Sequence, residues 1–424
     1  MAPFTLVALA VGLLLLSVPV FLSIMTATFV SFELFGPPMP SVVLAQRLVE
    51  GVNIFSILAV PLFIFAADII SRGEIGGRLI RLMESLVGHI TGGLAIATVL
   101  TCAMFGAISG VGAAAVVSIG PLVYPSLIRH GYAPGFAVGL ILTASTLSML
   151  VPPSVAMILY SVQVGESVAR VFLAGLAAGI LLMVLLSIYC YAYAVVKKVG
   201  RAEKATLSQR LAALRAAILP LGLPVLIFGG IYGGIFTPTE AAAAACVYAA
   251  VVETLIFKRL RLRDLFRLSQ ASSLTIATLL ILIAAGSTMT WFLTLERVPA
   301  ALANSLAGVD ASVVLAAVNG LFLLIGMFID PNSAVIVLSP LIAPAAEAIG
   351  VDGVHLGAIV VFNLAIGMIS PPFGLNIFIG MATFRISYVE VVRSVLPFIA
   401  ITIVALLIVT YVPALTLWLP GVAL

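Results

Sequence analysis

The chain is a succession of apolar segments, most of them about 20 residues or longer, separated by short polar loops. This pattern predicts membrane-spanning helices, because a helix of about 20 apolar residues crosses the hydrocarbon core of a bilayer. Two of the apolar segments contain a Pro-Pro pair, at 152–153 and at 371–372. Proline lacks a backbone N–H and clashes with the preceding turn, so the pairs predict broken helices over 135–160 and 357–383.

Each Pro-Pro pair follows another interrupted segment, in which a short glycine-containing turn divides two apolar stretches. The turns are Gly106-Ala-Ile-Ser-Gly110 and Gly326-Met-Phe-Ile-Asp-Pro-Asn-Ser333. They predict re-entrant helical hairpins over 92–128 and 311–348. Freed backbone groups survive at membrane depth only where protein or a water-filled cavity satisfies them. Paired broken helices are therefore typical of the binding site of a secondary transporter.

Basic residues concentrate in two loops, 197–215 and 258–267, which the positive-inside rule places in the cytoplasm. Counting spans outward from these loops puts the N-terminus in the cytoplasm and the C-terminus in the periplasm. The first hairpin then opens inward and the second outward, so the two halves form an inverted repeat. The spacing agrees, since Pro371 follows Pro152 by 219 positions and Asp330 follows Ser109 by 221.

The predicted organisation is a first repeat over 1–195, a basic loop and linking helix over 196–239, and a second repeat over 240–424. We expect an amphipathic arm at 71–89 and a matching arm at 296–310. The first apolar stretch, 3–30, lacks a basic leader and is predicted to be one retained helix. The last helix is predicted over 395–418.

Composition narrows the class of protein. The chain is 63% hydrophobic and 8% charged, whereas soluble domains carry about 25% charged residues, so an all-α polytopic membrane protein is predicted. The net charge of +4 lies in short loops and reflects topology, not nucleic-acid binding. An enzyme is not expected, because Asp330 is the one acid in the middle of an apolar region and the three histidines are far apart.

Polar residues at the first turn and the first break are candidates for cation binding. Ser109 and Gly110 at the hairpin tip would offer carbonyl and hydroxyl oxygens. Ser145, Thr146 and the carbonyls freed near Pro152 would complete such a site. The alternatives are a tight turn that permits close helix packing, and hydroxyls that bond a carbonyl of their own helix.

The second turn and the second break supply a corresponding set. Asp330 could coordinate a cation or couple a proton, or it could simply cap the helix that begins at Pro331. The other candidate cation ligands of this set are Asn363, Gly367 and Ser370. Substrate binding, helped by helix N-termini that attract anions, is predicted for Ser154, Asn332, Ser333 and Asn376.

Three more ionisable residues receive a structural interpretation. Asp68 ends an inward-running span and Glu253 lies near a cytoplasmic end, so interfacial snorkelling or a salt bridge is expected for both. His355 is expected to be structural or interfacial, since no second histidine lies near it to make a metal site.

At these motifs the chain resembles the large membrane subunit of the tripartite ATP-independent periplasmic (TRAP) transporters. The resemblance covers nearly the whole chain and rests on the segments 106–110, 119–121, 150–154, 326–331 and 366–376. Two positions depart from the family pattern. Val111-Gly112 stands where the family often has hydroxyl residues, and Gly353 stands where it usually has proline.

The resemblance implies an ion-transporter fold of elevator type in the bacterial inner membrane. The implied partners are a small four-helix membrane subunit, a periplasmic substrate-binding protein and membrane lipid. Import would be driven by an ion gradient, usually of Na⁺, with two or more ions. Substrates would be organic acids such as dicarboxylates or sialic acids. The alternative is a stand-alone Na⁺/carboxylate symporter of the same fold that needs no binding protein.

Overall fold

The computed structural model describes residues 2–37, 40, 42–306 and 308–423, and the regular elements in these ranges are helices. The helices of the first half are α1 (Ala2–Leu15), α2 (Val20–Phe35), α3 (Val42–Val52), α4 (Ala59–Arg72), α5 (Ile75–Val87), α6 (Gly93–Ser109), α7 (Gly112–Arg129), α8 (Pro134–Ser145), α9 (Leu147–Leu150), α10 (Val155–Val164) and α11 (Val168–Lys197). Those that follow are α12 (Leu207–Tyr232), α13 (Pro238–Val251), α14 (Leu262–Leu295), α15 (Val298–Leu306), α16 (Ala311–Gly326), α17 (Pro331–Glu347), α18 (Gly353–Gly367), α19 (Leu375–Phe384), α20 (Tyr388–Tyr411) and α21 (Pro413–Ala423).

Many of these helices are long and apolar, as the hydropathy pattern predicts. Within the described ranges, the eight helical stretches long and apolar enough to cross a membrane are Phe55–Arg72, Gly112–Arg129, Pro134–Val164, Val168–Lys197, Leu207–Tyr232, Pro238–Ile256, Leu262–Leu295 and Tyr388–Tyr411. The all-α polytopic class is therefore confirmed.

The hairpins and the broken helices occur where the proline and glycine pattern predicts them. α6 and α7 pack together across the turn at 110–111, and α16 and α17 pack together across the turn at 327–330. One broken helix is interrupted at 151–154, between α9 and α10, and the other at 368–374, between α18 and α19. Each gap contains a Pro-Pro pair. Inversion of the repeats and elevator motion stay predictions.

Polar side chains cap two of the buried half-helices, α10 and α18. Ser154 accepts a hydrogen bond from the backbone N–H of Met157 and caps α10. Asp352 does the same for α18, where it accepts from the N–H groups of Val354 and His355. Such caps satisfy backbone donors that have no partner within the helix. Short half-helices can therefore begin inside an apolar environment.

The first broken helix and the first half of the second, α18, form the interior of the molecule. All fifteen residues of α18 are buried, and the Tyr160 hydroxyl of α10 donates a 2.7 Å hydrogen bond to the carbonyl of Gly353. α10 also packs against α17, α8 against α20, and α11 against α18. Because each of these pairs joins one half of the chain to the other, the two halves interlock into a single core.

A second group of helices lies beside this core. α4 packs against α13 and α14, and α14 packs in turn against α2 and α3. We refer to α2, α3, α4, α13 and α14 as the lateral helices. α4 and α14 also contact the hairpins, through α6, α7 and α17.

The predicted arm at 71–89 contains α5, and its first turn is fixed by a residue distant in sequence. The buried Glu253 carboxylate accepts the backbone N–H groups of Glu74, at 2.9 Å, and Ile75, at 3.1 Å. The snorkelling or salt bridge expected for Glu253 is therefore wrong, because the carboxylate replaces the missing N-cap of α5. Glu74 pairs with Arg259 at 2.8 Å. Burial raises the pKa of Glu74, but the hydrogen bond and charge of Arg259 outweigh it and lower that pKa overall.

Two segments that were predicted to be single helices are each divided. The stretch 3–30 contains α1 and the start of α2, separated at 16–19 where Ser17 has a φ of 63°. The stretch 395–418 contains most of α20 and part of α21, with Val412 between them. The short helix α3 before α4 was not predicted.

Candidate functional site

The two hairpin tips and the two helix breaks meet at one cavity of about 520 Å³ beside the lateral helices. The tips contribute Gly110–Ala114 and Asp330–Ser333, and the broken helices contribute Met149, Val155, Ala156, Met368 and Leu375. The opposite wall is formed by Ile64, Ala67 and Asp68 of α4 and by Leu274, Thr275, Thr278, Leu279 and Leu282 of α14. The volume suits a small organic solute.

The first hairpin tip is seated directly against the first break. Gly110 ends α6 with a φ of 63°, in the left-handed region that favours glycine. A Cβ at this position would lie 2.1 Å from the carbonyl oxygen of Pro153. Only a residue without a side chain permits this approach, so the tip and the break form one unit.

Two hydroxyl groups in this unit have no hydrogen-bond partner among the described residues, and a backbone carbonyl lies close to the tip. The buried hydroxyls of Ser109 and Thr143 have no partner among the described residues. The carbonyl oxygen of Ser145 lies 3.3 Å from the position that a Cβ on Gly112 would take. Buried polar atoms without partners are rare in native structures and often mark a site for a bound ion or water.

The hydroxyls of Ser145 and Thr146 have protein partners. Ser145 donates to the carbonyl of Leu142 at 2.6 Å, and Thr146 donates to that of Thr143 at 2.7 Å. These are the bonds within one helix that sequence reasoning offered as the alternative. The Ser145 hydroxyl also accepts a 2.9 Å hydrogen bond from the Asn376 amide, which ties the first broken helix to the second.

The second hairpin tip is organised by Asp330. Its carboxylate accepts hydrogen bonds from the backbone N–H of Ser333, at 3.0 Å, and from the Ser333 hydroxyl, and so caps α17. The cap offered as an alternative role for Asp330 is therefore present, and the side chain also faces the cavity with Asn332.

The second break brings several carbonyl groups together. A Cβ at Gly374 would lie within 2.9 Å of three carbonyl oxygens, those of Gly367, Met368 and Ser370. A Cβ at Gly367 would lie 2.5 Å from the carbonyl carbon of Gly326, the last residue of α16, so the second hairpin also lies against its break. The Ser370 hydroxyl donates to the carbonyl of Ile366 at 2.9 Å.

Asn363 lies away from the cavity, in a buried polar chain. It donates a 2.7 Å hydrogen bond to Asn319 of α16, which donates in turn to Thr410 of α20 at 3.0 Å. His355 extends the chain through the carbonyl of Thr410 and the hydroxyl of Thr416. These bonds agree with the structural role expected for His355, and they identify Asn319 and Thr410 as polar partners that sequence reasoning missed.

The structure thus separates the candidate residues into two groups. Gly110, Asp330, Asn332 and Ser333 line the cavity. Of the remaining substrate candidates, Ser154 and Asn376 are buried behind the wall, as a helix cap and as the partner of Ser145. Both belong to the supports that position the breaks.

Asp68 lies in the cavity wall, and the salt bridge that was one of its two expected roles is absent among the described residues. Its carboxylate accepts a 2.5 Å hydrogen bond from Ser272 of α14. In the sequence, the one indication that Asp68 belongs to a site was its position as an acid in an apolar segment. The sequence could not show in which direction its side chain pointed.

The donor set also limits the kind of ion that could bind. Among the residues that the structure describes, no group of three or more His, Cys, Asp or Glu side chains could hold a metal ion. A cation at either tip would be held mainly by carbonyl and hydroxyl oxygens. Hard cations accept oxygen ligands of this kind, and the Ser109 and Thr143 hydroxyls have no partner among the described residues.

Comparison with known proteins decides the family. Residues 6–415 match the family described as the tripartite ATP-independent periplasmic transporter, DctM component. The chain belongs to the DctM family of TRAP transporter large permeases. DctM proteins are transporter subunits, so this chain is a permease subunit and not an enzyme.

Individual DctM relatives align over almost their full length. The chain is 39% identical to the ectoine TRAP transporter large permease protein TeaC of Halomonas elongata, over 98% of both chains. It is 40% identical to the ectoine/5-hydroxyectoine large permease protein UehC of Ruegeria pomeroyi, over 97% of both. It is 36% identical to the C4-dicarboxylate large permease protein DctM of Vibrio cholerae, over 99% of this chain and 98% of that one.

A solved structure supports the fold of this DctM protein. The crystal structure of the YdaH transporter of Alcanivorax borkumensis superposes with a TM-score of 0.63. The superposition covers 88% of this chain and 87% of that one at 16% sequence identity. At this level of identity the likeness concerns the fold alone.

Proposed function

We propose that this DctM subunit imports a small organic solute, carried in the cavity between the two hairpin tips and driven by the Na⁺ gradient. The observation that carries the proposal is the convergence of two re-entrant tips and two helix breaks on one cavity. Broken helices with a central cavity are the arrangement by which secondary transporters bind solute and ion at membrane depth.

Two Na⁺ positions are proposed, one at each tip. The first uses the hydroxyls of Ser109 and Thr143 with carbonyls around Gly110 and Ser145. The second uses the carbonyls that converge at Gly374, with Asp330 nearby in the cavity wall. A Na⁺ bound at either position would supply positive charge to the oxygens of one tip and its break, and these residues would hold it between the two.

Movement is proposed to occur between the interlocked core and the lateral helices. The core consists of the two hairpins with α8–α11 and α18–α20, which pack across the two halves. The cavity lies at the boundary between this core and the wall formed by α4 and α14. Displacement of the core past that wall would carry the solute across the membrane, which is the elevator mechanism.

The orientation follows from the positive-inside rule, with the loops at 197–215 and 258–267 in the cytoplasm. The N-terminus is then cytoplasmic and the C-terminus periplasmic. The α14 residues that line the cavity, Leu274 to Leu282, lie at the middle of that helix, so the cavity is placed near the middle of the membrane.

The family is a tripartite periplasmic system, and we propose a small membrane subunit and a periplasmic binding protein as partners. Relatives are named for ectoine, C4-dicarboxylates and isethionate, so the substrate is proposed to be a small organic acid. The binding protein would dock at the outer end of α17 and α18. The carboxylates of Glu166 and Glu347 approach each other there beside Gly353.

Uptake by proteoliposomes tests this function. Vesicles would contain the chain with its small subunit, and the binding protein, the Na⁺ gradient and a panel of labelled organic acids would be supplied separately. We expect accumulation only with both partners and an inward Na⁺ gradient. Accumulation by the chain alone would indicate a stand-alone symporter, and uptake that ignores the gradient would contradict ion coupling.

A further inference from the structure

The charged groups facing the cavity are of one sign. The polar side chains of its wall are those of Asp68, Thr275, Thr278, Asp330, Asn332 and Ser333. No lysine, arginine or histidine lines it among the described residues, and neither aspartate takes part in any ion pair found in those ranges. Two carboxylates in a largely apolar cavity create a negative potential, because charges in such surroundings are poorly screened.

The two carboxylates differ in what already satisfies them. Asp330 caps α17 and accepts two hydrogen bonds from Ser333, so the helix N-terminus offsets part of its charge. Asp68 lies near the C-terminal end of α4 and accepts only the Ser272 hydroxyl among the described groups. The negative end of a helix adds to its charge instead of offsetting it. Asp68 is therefore the group that most needs a positive partner.

The surroundings of Asp68 favour an organic cation over a metal ion. Hard metal cations take about six or more oxygen ligands. Among the described groups, the Ser272 hydroxyl is the one oxygen that bonds the carboxylate. The same wall carries Thr275 and the apolar side chains of Ile64, Ala67 and Leu279. Apolar walls with one carboxylate suit a positively charged organic group, whose carbon atoms need no oxygen ligands.

We propose that Asp68, positioned by Ser272, binds a cationic group of the transported solute and so selects zwitterionic organic acids over dianions. This assignment rests on the proposed transport function and names its substrate class. The carboxylate of such a zwitterion would face the hairpin tips, where ions and backbone N–H groups are available. Its positive group would face α4.

The reaction rates of charged thiol reagents test the negative electrostatic potential of the cavity without requiring transport. Thr275 is exposed to the cavity one turn from Ser272, and the native cysteines are buried, so Thr275→Cys gives a single reactive reporter. A trimethylammonium-ethyl methanethiosulfonate should react faster than its sulfonato-ethyl counterpart. A unit charge about 6–8 Å away changes local concentrations roughly fivefold to tenfold, in opposite directions for the two reagents. We therefore expect Asp68→Asn to reduce the ratio of the two rates at least tenfold.

A matched variant separates the effect of the Asp68 charge from general damage to the fold. Glu50→Gln removes an exposed carboxylate of α3 outside the cavity. It should leave the rate ratio within about threefold of the parent. The proposal would be overturned if Asp68→Asn left the rate ratio unchanged. It would also be overturned if Glu50→Gln changed the ratio as much as Asp68→Asn does.

Protection of the same reporter tests the substrate class. Ectoine, which joins a carboxylate to an amidinium cation, should slow labelling at millimolar concentration, whereas succinate should not. Asp68→Asn should abolish the protection. Protection by succinate alone, or by neither solute, would overturn the zwitterion assignment. Absence of uptake in proteoliposomes would reject the transport function instead, and it would leave the labelling result standing.

Discussion

Replacement of Gly110 by alanine perturbs the contact between the first hairpin tip and the first break. The residue has a φ of 63°, and an added Cβ would lie 2.1 Å from the carbonyl oxygen of Pro153. Ordinary contacts of a Cβ begin at about 3.4 Å. The tip and the break would therefore have to separate by more than about 1 Å, because neither partner is the flexible end of a side chain.

The loss of stability caused by Gly110→Ala has two parts. A left-handed conformation costs a residue with a Cβ roughly 1–2 kcal/mol. Separation of the tip from Pro153 adds lost packing of a buried region, so we expect a total of about 2–4 kcal/mol. Transport should suffer more than stability. A displaced Ser109 hydroxyl would leave the proposed cation site, and Na⁺-dependent uptake should fall at least about 100-fold, since small misplacements of a positioned group have effects of this size.

Gly165 supplies a matched control. It ends α10 with a φ of 86°, and no atom of the described residues packs within 4 Å of the position that its Cβ would take. Gly165→Ala should therefore show the conformational cost alone, with near-normal uptake. Thermal unfolding of the purified complex and Na⁺-dependent uptake would be measured for both variants. Equal effects in both assays would refute the assignment of the Gly110 contact to ion binding.

Other variants test the remaining elements of the site and its supports. Asp330→Asn retains a good helix cap, so the free energy of unfolding should change by less than about 1 kcal/mol. Na⁺-dependent uptake should weaken at least tenfold. An unchanged Na⁺ dependence would show that Asp330 acts only as a helix cap. Glu253→Ala removes the acceptor of two N–H groups at the start of α5 and should lower the free energy of unfolding by about 1–3 kcal/mol. Amide hydrogen exchange at Ile75 should become faster, and unaltered exchange would contradict the capping role. Tyr160→Phe loses the hydrogen bond to Gly353 and should cost about 1 kcal/mol in thermal unfolding without altering Na⁺ dependence, so a shifted dependence would argue for a direct role of Tyr160.

The hairpins and breaks were predictable because their causes are local. A Pro-Pro pair removes two donors from a helix wherever it occurs, and a turn that uses Gly110 or Asp330 carries its own backbone and capping preferences. The observed breaks at 151–154 and 368–374 accordingly fall inside the predicted segments. The arm at α5 was also visible in the pattern, although its anchor at Glu253 was not.

A single proline in an apolar run has no such fixed meaning. Pro19 stands at the junction of α1 and α2, whereas Pro121 and Pro220 lie inside the continuous helices α7 and α12. Neighbouring helices can satisfy the backbone groups that one proline frees, so the outcome depends on packing. The prediction of one helix over 3–30 was therefore wrong although the proline was visible.

The sequence by itself determined the membrane class, the positions of the tips and breaks, and the residue types able to hold a cation, since these depend on composition and on local backbone chemistry. Only the tertiary structure decided which polar groups share a space. It turned Asp68 toward the cavity and placed Asn363 in a hydrogen-bonded chain with Asn319. It also left the Ser109 hydroxyl without a partner among the described residues. The physical reason is that an apolar helix carries little periodic signal for its orientation, because lipid and protein interior are almost equally apolar. The direction of a side chain is then set by packing between helices far apart in the chain.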